Sequence, residues 1–284
     1  MKTNQIRAAQ LPIDKLHPFE GHPYQVRDDE EMNQLVYSII TQGVLNPVVV
    51  RPTENDECEV ISGHRRVHAC KKAGIETVPA LIYSLDRDAA AIALVDSNLH
   101  REHILPSEKA FAYKMKMEAM SRQGQRTDLT SRQVVGKLET ADMIADNESG
   151  RQVQRYIRLT HLIPEILRMV DEGRIALTPA VEISYLTETE QYTLLDAMEL
   201  NDCTPSHAQT IRMKKLSQQG QLVEDTIYSI MGEEKANQKE RLRIPMERVR
   251  SFFPRSYTAV QIEDEIVKMC EARYRQRQRS RDAR

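Results

Sequence analysis

The apolar positions of the chain change their period near residue 105. Met32, Leu35, Val36, Ile39 and Ile40 follow the i, i+3, i+4, i+7, i+8 spacing of an amphipathic helix. Asp28 or Asp29 can cap its start, and Gly43 can close it. Val48-Val49-Val50, bounded by Pro47 and Pro52, reads as a buried strand. Glu57–Ile61 reads as its neighbour, with Glu54-Asn55-Asp56 as the turn between them. A helix follows Gly63 and runs to Gly74. Val78–Ile82 is a further strand, and Pro79 predicts that it lies at a sheet edge. Leu11-Pro12-Ile13 and Leu16 form a short extended start, and alanine-rich Arg87–Asn98 is helical. This first part is therefore α+β.

From Leu105 onward the pattern is helical. Pro106 opens a long helix that carries Ala110, Phe111, Tyr113, Met117 and Met120 and stops near Gly124. It connects to, and is expected to pack on, the next domain. Gln125–Thr130 reads as a loop. Thr140–Ala145 is a short helix, Asp146-Asn147-Glu148 turns the chain, and Ser149 can cap a second helix, Gly150–His161. Val153, Tyr156 and Ile157 face inward on it. Thr178 is the expected cap of a later helix, with Pro179 at its first position. Thr187 and Glu190 fit a capping box, another helix begins at Thr204-Pro205, and Gln221–Met231 is helical. Glu233–Arg243 mixes charges without an apolar face and reads as a linker, with Leu242–Pro245 extended. Thr258 and Gln261 cap a last helix with an incomplete stripe of Val260, Ile262, Ile266, Val267 and Cys270. A stripe this small cannot stabilise a domain alone, so it is expected to pack on a second copy. The expected division is 1–104, 105–222, a linker at 223–243, and 244–284.

Two segments carry candidate chemistry. In Val60–Ala69 an apolar run meets Ser62-Gly63, and His64, Arg65 and Arg66 follow at the start of a helix. Helix N-termini favour anions, glycine permits close backbone approach, and arginine suits phosphate oxygens. The competing reading is an ordinary strand-to-helix corner with solvated arginines. In Gly150–His161, Ser149, Arg151, Gln152, Gln154, Arg155 and Arg158 cover the polar surface. A short helix, a turn and a second helix with Arg and Gln near its start is the helix-turn-helix plan; Arg suits guanine O6/N7 and Gln suits adenine N6/N7. A helical hairpin with a solvated polar face is the alternative.

Composition adds limits. The 284 residues are long enough for two or three domains, and the formal net charge of −2 does not itself point to nucleic acid. Arg273, Arg275, Arg277, Arg279, Arg281 and Arg284 nevertheless form a basic end, either a phosphate-binding arm or a solvated terminus. The four cysteines, Cys58, Cys70, Cys203 and Cys270, show no metal-type spacing and suggest no disulfide framework. The opening residues lack a signal-peptide core, and no apolar run approaches a membrane span. A cytoplasmic place and no membrane partner are expected.

Pro23–Arg27, Gly43–Pro52, Ile61–Arg66 and Asn98–Arg101 occur in the order and approximate spacing seen in ParB partition proteins, and the chain resembles that family. The resemblance continues through Gln152–Pro164, Gly173–Ala176 and Pro179-Ala180. It implies a sulfiredoxin-like α+β N-terminal domain, an all-α helix-turn-helix domain and a small helical C-terminal region. It further implies CTP and Mg2+ as ligands, closure into a DNA clamp, a palindromic duplex site, a homodimer and a ParA-type ATPase partner. The nucleotide residues it implies are Gln25, Arg27, Gly63, His64, Arg65, Arg66, Asn98 and Arg101, with Asn98 near the metal. Two departures stand out: His64 and Ser97 occupy positions where the family usually has Glu, and neither side chain replaces a carboxylate well on magnesium. Weak CTP hydrolysis at most is expected. Gly63-His64-Arg65 also resembles a sulfiredoxin motif, but Gly63 stands where that chemistry needs cysteine. The expected function is sequence-specific DNA binding in plasmid, mobile-element or chromosome partition. The alternatives are a transcriptional regulator of the same architecture without nucleotide cycling, and an enzyme of the sulfiredoxin-like fold.

Overall fold

The computed structural model describes residues 6–99, 101, 103–127, 148–233, 246–254 and 256–282. The chain divides into two compact units, Met1–Glu233 and Glu234–Arg284. The first unit opens with β1 (Ile6–Pro12), β2 (Leu16–Pro18), α1 (Glu30–Gln42), β3 (Val48–Pro52), β4 (Cys58–Ser62), α2 (His64–Lys72), β5 (Thr77–Tyr83) and α3 (Arg87–Leu99). The five strands form one mixed sheet in the order β1-β5-β3-β4-β2.

Local signals account for most of these elements. Asp29 caps α1 by accepting from the Met32 amide at 2.8 Å, and Gly43 ends the helix at φ 74°. The turn Glu54–Asp56 joins β3 and β4 as an antiparallel hairpin. One expectation is corrected: β5 is not an edge strand but lies between β1 and β3. Its parallel pairing with β3 begins at Ala80, opposite Val48, so Pro79 lies just outside that ladder. On its other side Pro79 stands opposite Gln10 in the β1 ladder.

The sheet is covered on both faces. Met32, Ile39, Val48, Val50, Val60, Val67 and Cys70 fill the layer under α1 and α2. Phe19, Tyr24, Ile61, Ala91, Leu94 and Val95 fill the layer under α3. Cys58 and Cys70 are buried free thiols in the first layer.

The helical part begins with α4 (Pro106–Thr127), which runs on through Gln125–Thr127 where a loop was expected. Ala112 and Ala119 of this helix pack into the core of α3, while Ala110 joins the core of the helices that follow. Small side chains let α4 sit close to both, so it serves as a shared spine rather than a simple connector. Its first turn is held by Asp171, which accepts from the Ser107 amide at 2.9 Å and from its hydroxyl at 2.6 Å. Lys116 pairs with Asp96 of α3 at 2.6 Å, and Arg122 with Asp88 at 2.8 Å.

After α4 come α5 (Gly150–Arg158), α6 (Pro164–Asp171), α7 (Leu177–Ile183), α8 (Glu188–Leu200), α9 (His207–Gln218) and α10 (Glu224–Gly232). Leu159, Ile166, Ile183, Leu194, Met213, Ile227 and Ile230 form their common core. Ile227, Ile230 and Met231 are buried there, so the span expected as linker from 223 is helix and core up to Gly232. The capping box of Thr187 and Glu190 is present; α9 is capped by Ser206 with Gln209. The cap of α7 is Ala176, not Thr178, and buried Pro179 is the third helical residue, still within the turn where no N–H is needed.

The second unit holds α11 (Met246–Val249) and α12 (Ala259–Asp282). Thr258 and Gln261 exchange the two bonds of a capping box at 2.8 and 3.3 Å. Ile262 of the expected stripe is buried, whereas Val267 and Cys270 are exposed. The expected helix Thr140–Ala145, its turn at Asp146-Asn147, and the extended segment Leu242–Pro245 lie outside the described residues. No helix among the described residues is long and apolar enough to cross a membrane.

Candidate nucleotide pocket and candidate DNA-reading helix

The corner between β4 and α2 is built around Gly63. It takes φ 101°, and an added Cβ would stand 2.9 Å from Val48 Cγ1 and 3.0 Å from an Arg66 nitrogen. Only glycine fits both the conformation and the space. As N-cap of α2, Gly63 offers no side-chain acceptor to the first-turn amides. Those amides can therefore meet an anion.

The side chains around this corner divide into held and available groups. Arg66 donates to the carbonyls of Asn46 and Pro47, the latter at 2.7 Å. It braces the loop before β3 instead of pointing at a ligand. Arg65 reaches Asp29 at 3.4 Å and Glu31 at 3.2 Å and stays one-third exposed. His64 lies tilted against His22 with ring centroids 3.7 Å apart, and His22 meets Tyr24 edge-on at 5.7 Å. The Arg101 guanidinium lies 5.5 Å from the centre of the Tyr24 ring. His64 Nε2 and the Tyr24 hydroxyl are both buried without a hydrogen-bond partner.

Burial and neighbouring cations make this cluster neutral. Burial holds the His22 pKa down to about 4, with the Arg101 charge adding to it. Burial, then His22 and Arg101, holds His64 down to about 3. Burial pushes the Tyr24 phenol well above its ordinary value. At neutral pH the cluster thus holds uncharged imidazole and phenol groups beside fixed guanidinium charge.

The expected nucleotide residues fall into two sets. His64 and Arg101 meet around His22 and Tyr24, which no spacing in the sequence ties to His64, whereas Arg65 and Arg66 follow Gly63 but are held by Asp29 and Glu31 and by the Asn46 and Pro47 carbonyls. Gln25 is exposed; its backbone amide donates to Glu108 Oε1 of α4 at 2.9 Å, while Glu108 Oε2 accepts from Leu105 N at 3.1 Å. Glu108, absent from the expected set, so ties this loop to the spine helix. Arg27 is exposed. Asn98 is buried, and its Nδ2 donates to the Leu94 carbonyl of its own helix at 2.7 Å.

Magnesium does not fit this arrangement. It is usually held by one or two carboxylates together with substrate phosphates. Among the described residues no group of three or more His, Cys, Asp or Glu is placed to hold a metal. Ser97 Oγ donates to the Leu94 carbonyl at 2.9 Å, and Asp96 is paired with Lys116.

On α5, Ser149 is the cap and accepts from the Gln152 amide at 3.3 Å. Val153 is fully buried, against Tyr113 of the spine. The six expected DNA residues do not all face outward. Arg158 donates to Ser184 Oγ at 3.1 Å and to the Ser184 carbonyl at 2.6 Å, and its guanidinium lies 4.0 Å over the Tyr185 ring. It is a brace between α5 and α7. Gln154 turns toward Met117 Sδ at 3.6 Å. Arg151 is exposed. Arg155 donates to Gln152 Oε1 at 3.1 Å and to Thr178 Oγ1 at 2.7 Å. The surface that remains for a ligand is Arg151, Gln152 and Arg155, with Thr178 steadying the last of these.

The ParB N-terminal domain family matches residues 1–99. A nucleoid occlusion protein of Listeria innocua is 33% identical over 198 residues, covering 69% of this chain and 64% of that protein. A probable chromosome-partitioning protein ParB of Pseudomonas putida is 31% identical over 192 residues, covering 67% of this chain and 61% of its own length. The chain thus spans less than two thirds of the length of these relatives. Among solved structures, a C-terminally truncated ParB of Caulobacter crescentus complexed with CTP-gamma-S is 26% identical, with a TM-score of 0.32 over 63% of this chain and 92% of that one. The chain is therefore similar to ParB proteins: its residues 1–99 match the ParB N-terminal domain family, and its likeness to nucleoid occlusion and partition proteins continues into the helical part.

Proposed function

We propose that this protein binds a specific duplex DNA site and acts in the partition of a plasmid, mobile element or chromosome, with CTP as the ligand of its N-terminal domain. The observation that carries this reading is the length of the likeness. A match of 198 residues within a chain of 284 necessarily spans α5, where Arg151 is exposed and Gln152 and Arg155 are partly exposed. Laid in a major groove, the arginines suit guanine and the glutamine suits adenine. A palindromic site would follow if two copies bind as a symmetric dimer. A ParA-type ATPase partner and a place on the nucleoid belong to the same proposal. We propose the domain scheme with α4 shared: an N-terminal nucleotide domain, a helical DNA-binding domain extended to α10, and a C-terminal region that pairs with a second copy.

A second reading is a DNA-binding regulator that never cycles nucleotide; Asp29, Glu31 and Glu108, engaged in a helix cap, an ion pair and backbone bonds, favour it. Recovering genomic fragments bound to the protein and sequencing them tests the first claim. One shared palindrome near partition genes supports partition, whereas scattered fragments without a common motif refute specific binding. CTP titrations with and without the recovered site then separate the two readings. No binding at millimolar CTP in either case favours the regulator.

A further inference from the structure

We infer that the pocket at the α2 corner takes its nucleoside triphosphate without a divalent cation, with the buried donors His64 Nε2 and Tyr24 Oη doing the work a metal would do. This rests on the nucleotide reading proposed above and adds to it the charge chemistry of the site.

Most carboxylates beside these residues are engaged. Asp29 accepts from the Met32 amide and from Arg65. Glu31 faces Arg65 at 3.2 Å. Both oxygens of Glu108 accept backbone amides. Asp96 Oδ1 faces Lys116 Nζ at 2.6 Å but makes no hydrogen bond of sound geometry. Drawing any of these onto a cation would strip a helix cap, an ion pair or a loop anchor. Asn98 Nδ2 donates to the Leu94 carbonyl of its own helix, which leaves its amide oxygen as a single neutral ligand without a carboxylate beside it.

Donors, by contrast, are in surplus. Tyr24 is 3% exposed, and its hydroxyl has no partner. His64 Nε2 is likewise buried and unpartnered. An unsatisfied buried polar group costs about 1–3 kcal/mol, so two in one cluster need an explanation. Phosphate oxygens would supply the missing acceptors. His64 stays neutral at pH 7, so its Nε2–H tautomer donates a hydrogen bond without titrating. The uncapped amides of α2 and the Arg101 guanidinium over the Tyr24 ring add further donors. Such a donor set matches the free polyanion better than its magnesium complex, whose charge the metal has already partly neutralised.

The test is calorimetric titration of CTP into the full-length protein, once in magnesium and once in excess EDTA. Affinities agreeing within about threefold are expected. Binding that weakens tenfold or more in EDTA overturns the inference while leaving the nucleotide reading intact. Absence of binding in both buffers sinks the nucleotide reading, and this inference with it. Tyr24→Phe provides an independent arm, with its urea denaturation curve compared to the parent protein. Loss of one neutral donor should weaken CTP by about 2- to 12-fold in both buffers. An unchanged affinity in a folded variant would remove Tyr24 from the donor set and overturn the donor assignment.

Discussion

Gly63→Ala and Gly74→Ala form a matched pair at the two ends of one helix. Both glycines have positive φ, 101° and 68°. A Cβ at position 74 meets nothing within 4 Å, whereas at 63 it meets Val48 Cγ1 and Arg66 at 3.0 Å or less. Val48 is fully buried and cannot retreat. Arg66 cannot swing aside without releasing the Asn46 and Pro47 carbonyls. Gly74→Ala should therefore cost only the conformational term, about 1–2 kcal/mol. Gly63→Ala should add an overpacking term of about 1–3 kcal/mol to strain of similar size, about 2–6 kcal/mol in all. Against a total stability of about 5–15 kcal/mol this is a large fraction. Urea denaturation of the three proteins, with slopes compared, gives both numbers. If Gly63→Ala is no more destabilising than Gly74→Ala, the corner is looser than described and the close approach at Gly63 is not what selects glycine.

Arg155→Ala should weaken specific DNA binding by about 5- to 150-fold in a mobility-shift titration, the range for a lost bidentate base contact. Arg168→Ala, an exposed arginine of α6, should change it by less than about twofold. Equal effects would refute the assignment of α5. Arg158→Ala should instead lower stability by about 1.5–3 kcal/mol through its lost bonds to Ser184, a change read by thermal denaturation. The depressed pKa values of His22 and His64, about 4 and about 3 against 6.5, set a pH dependence. Both rings are neutral in the fold, so their contribution is fully present above 6.5 and falls as the unfolded chain takes up protons below it. At about pH 5 the loss should reach roughly 1–2 kcal/mol per ring, and His64→Gln should flatten the curve between pH 7 and 5. A parent protein equally stable at both pH values would contradict the desolvated pair. Asp171→Ala should cost about 1–2 kcal/mol by uncapping α4, measured by the same denaturation.

What the sequence disclosed, and what it hid, follows from the range of each interaction. The Asp29 cap, the Gly43 stop, the capping boxes at Thr187 and Thr258 and the β3–β4 hairpin depend on residues a few positions apart, and their signals were legible. Pro79 was misread because strand order is set by pairing across the chain, not by the strand's own composition. Thr178 carried a cap's chemistry, yet the helix begins two residues earlier, with Ala176 as its cap, and the hydroxyl serves Arg155. The tilted His22–His64 ring contact joins a loop to the first turn of α2, far apart in sequence, and neither residue type announces the other.

The arginines carry the sharper lesson. At each candidate site two were read as equivalent free cations: Arg65 with Arg66, and Arg155 with Arg158. A guanidinium has five donors in a fixed fork, so its role is decided by which acceptors the fold brings near, and carbonyl oxygens leave no trace in sequence. Asn46 and Pro47 capture Arg66, and Ser184 captures Arg158. Each captured arginine fixes the backbone beside the site. Its neighbour, Arg65 or Arg155, is held only by side chains: Asp29 and Glu31 in one case, Gln152 and Thr178 in the other. Side-chain partners can be exchanged for a phosphate or a base edge without moving the main chain. Backbone partners cannot, because the loop before β3 or the end of α7 would lose its anchor. The two sites thus share one construction, an arginine that builds the platform and another that can leave it, and only the second kind belongs in an account of ligand affinity.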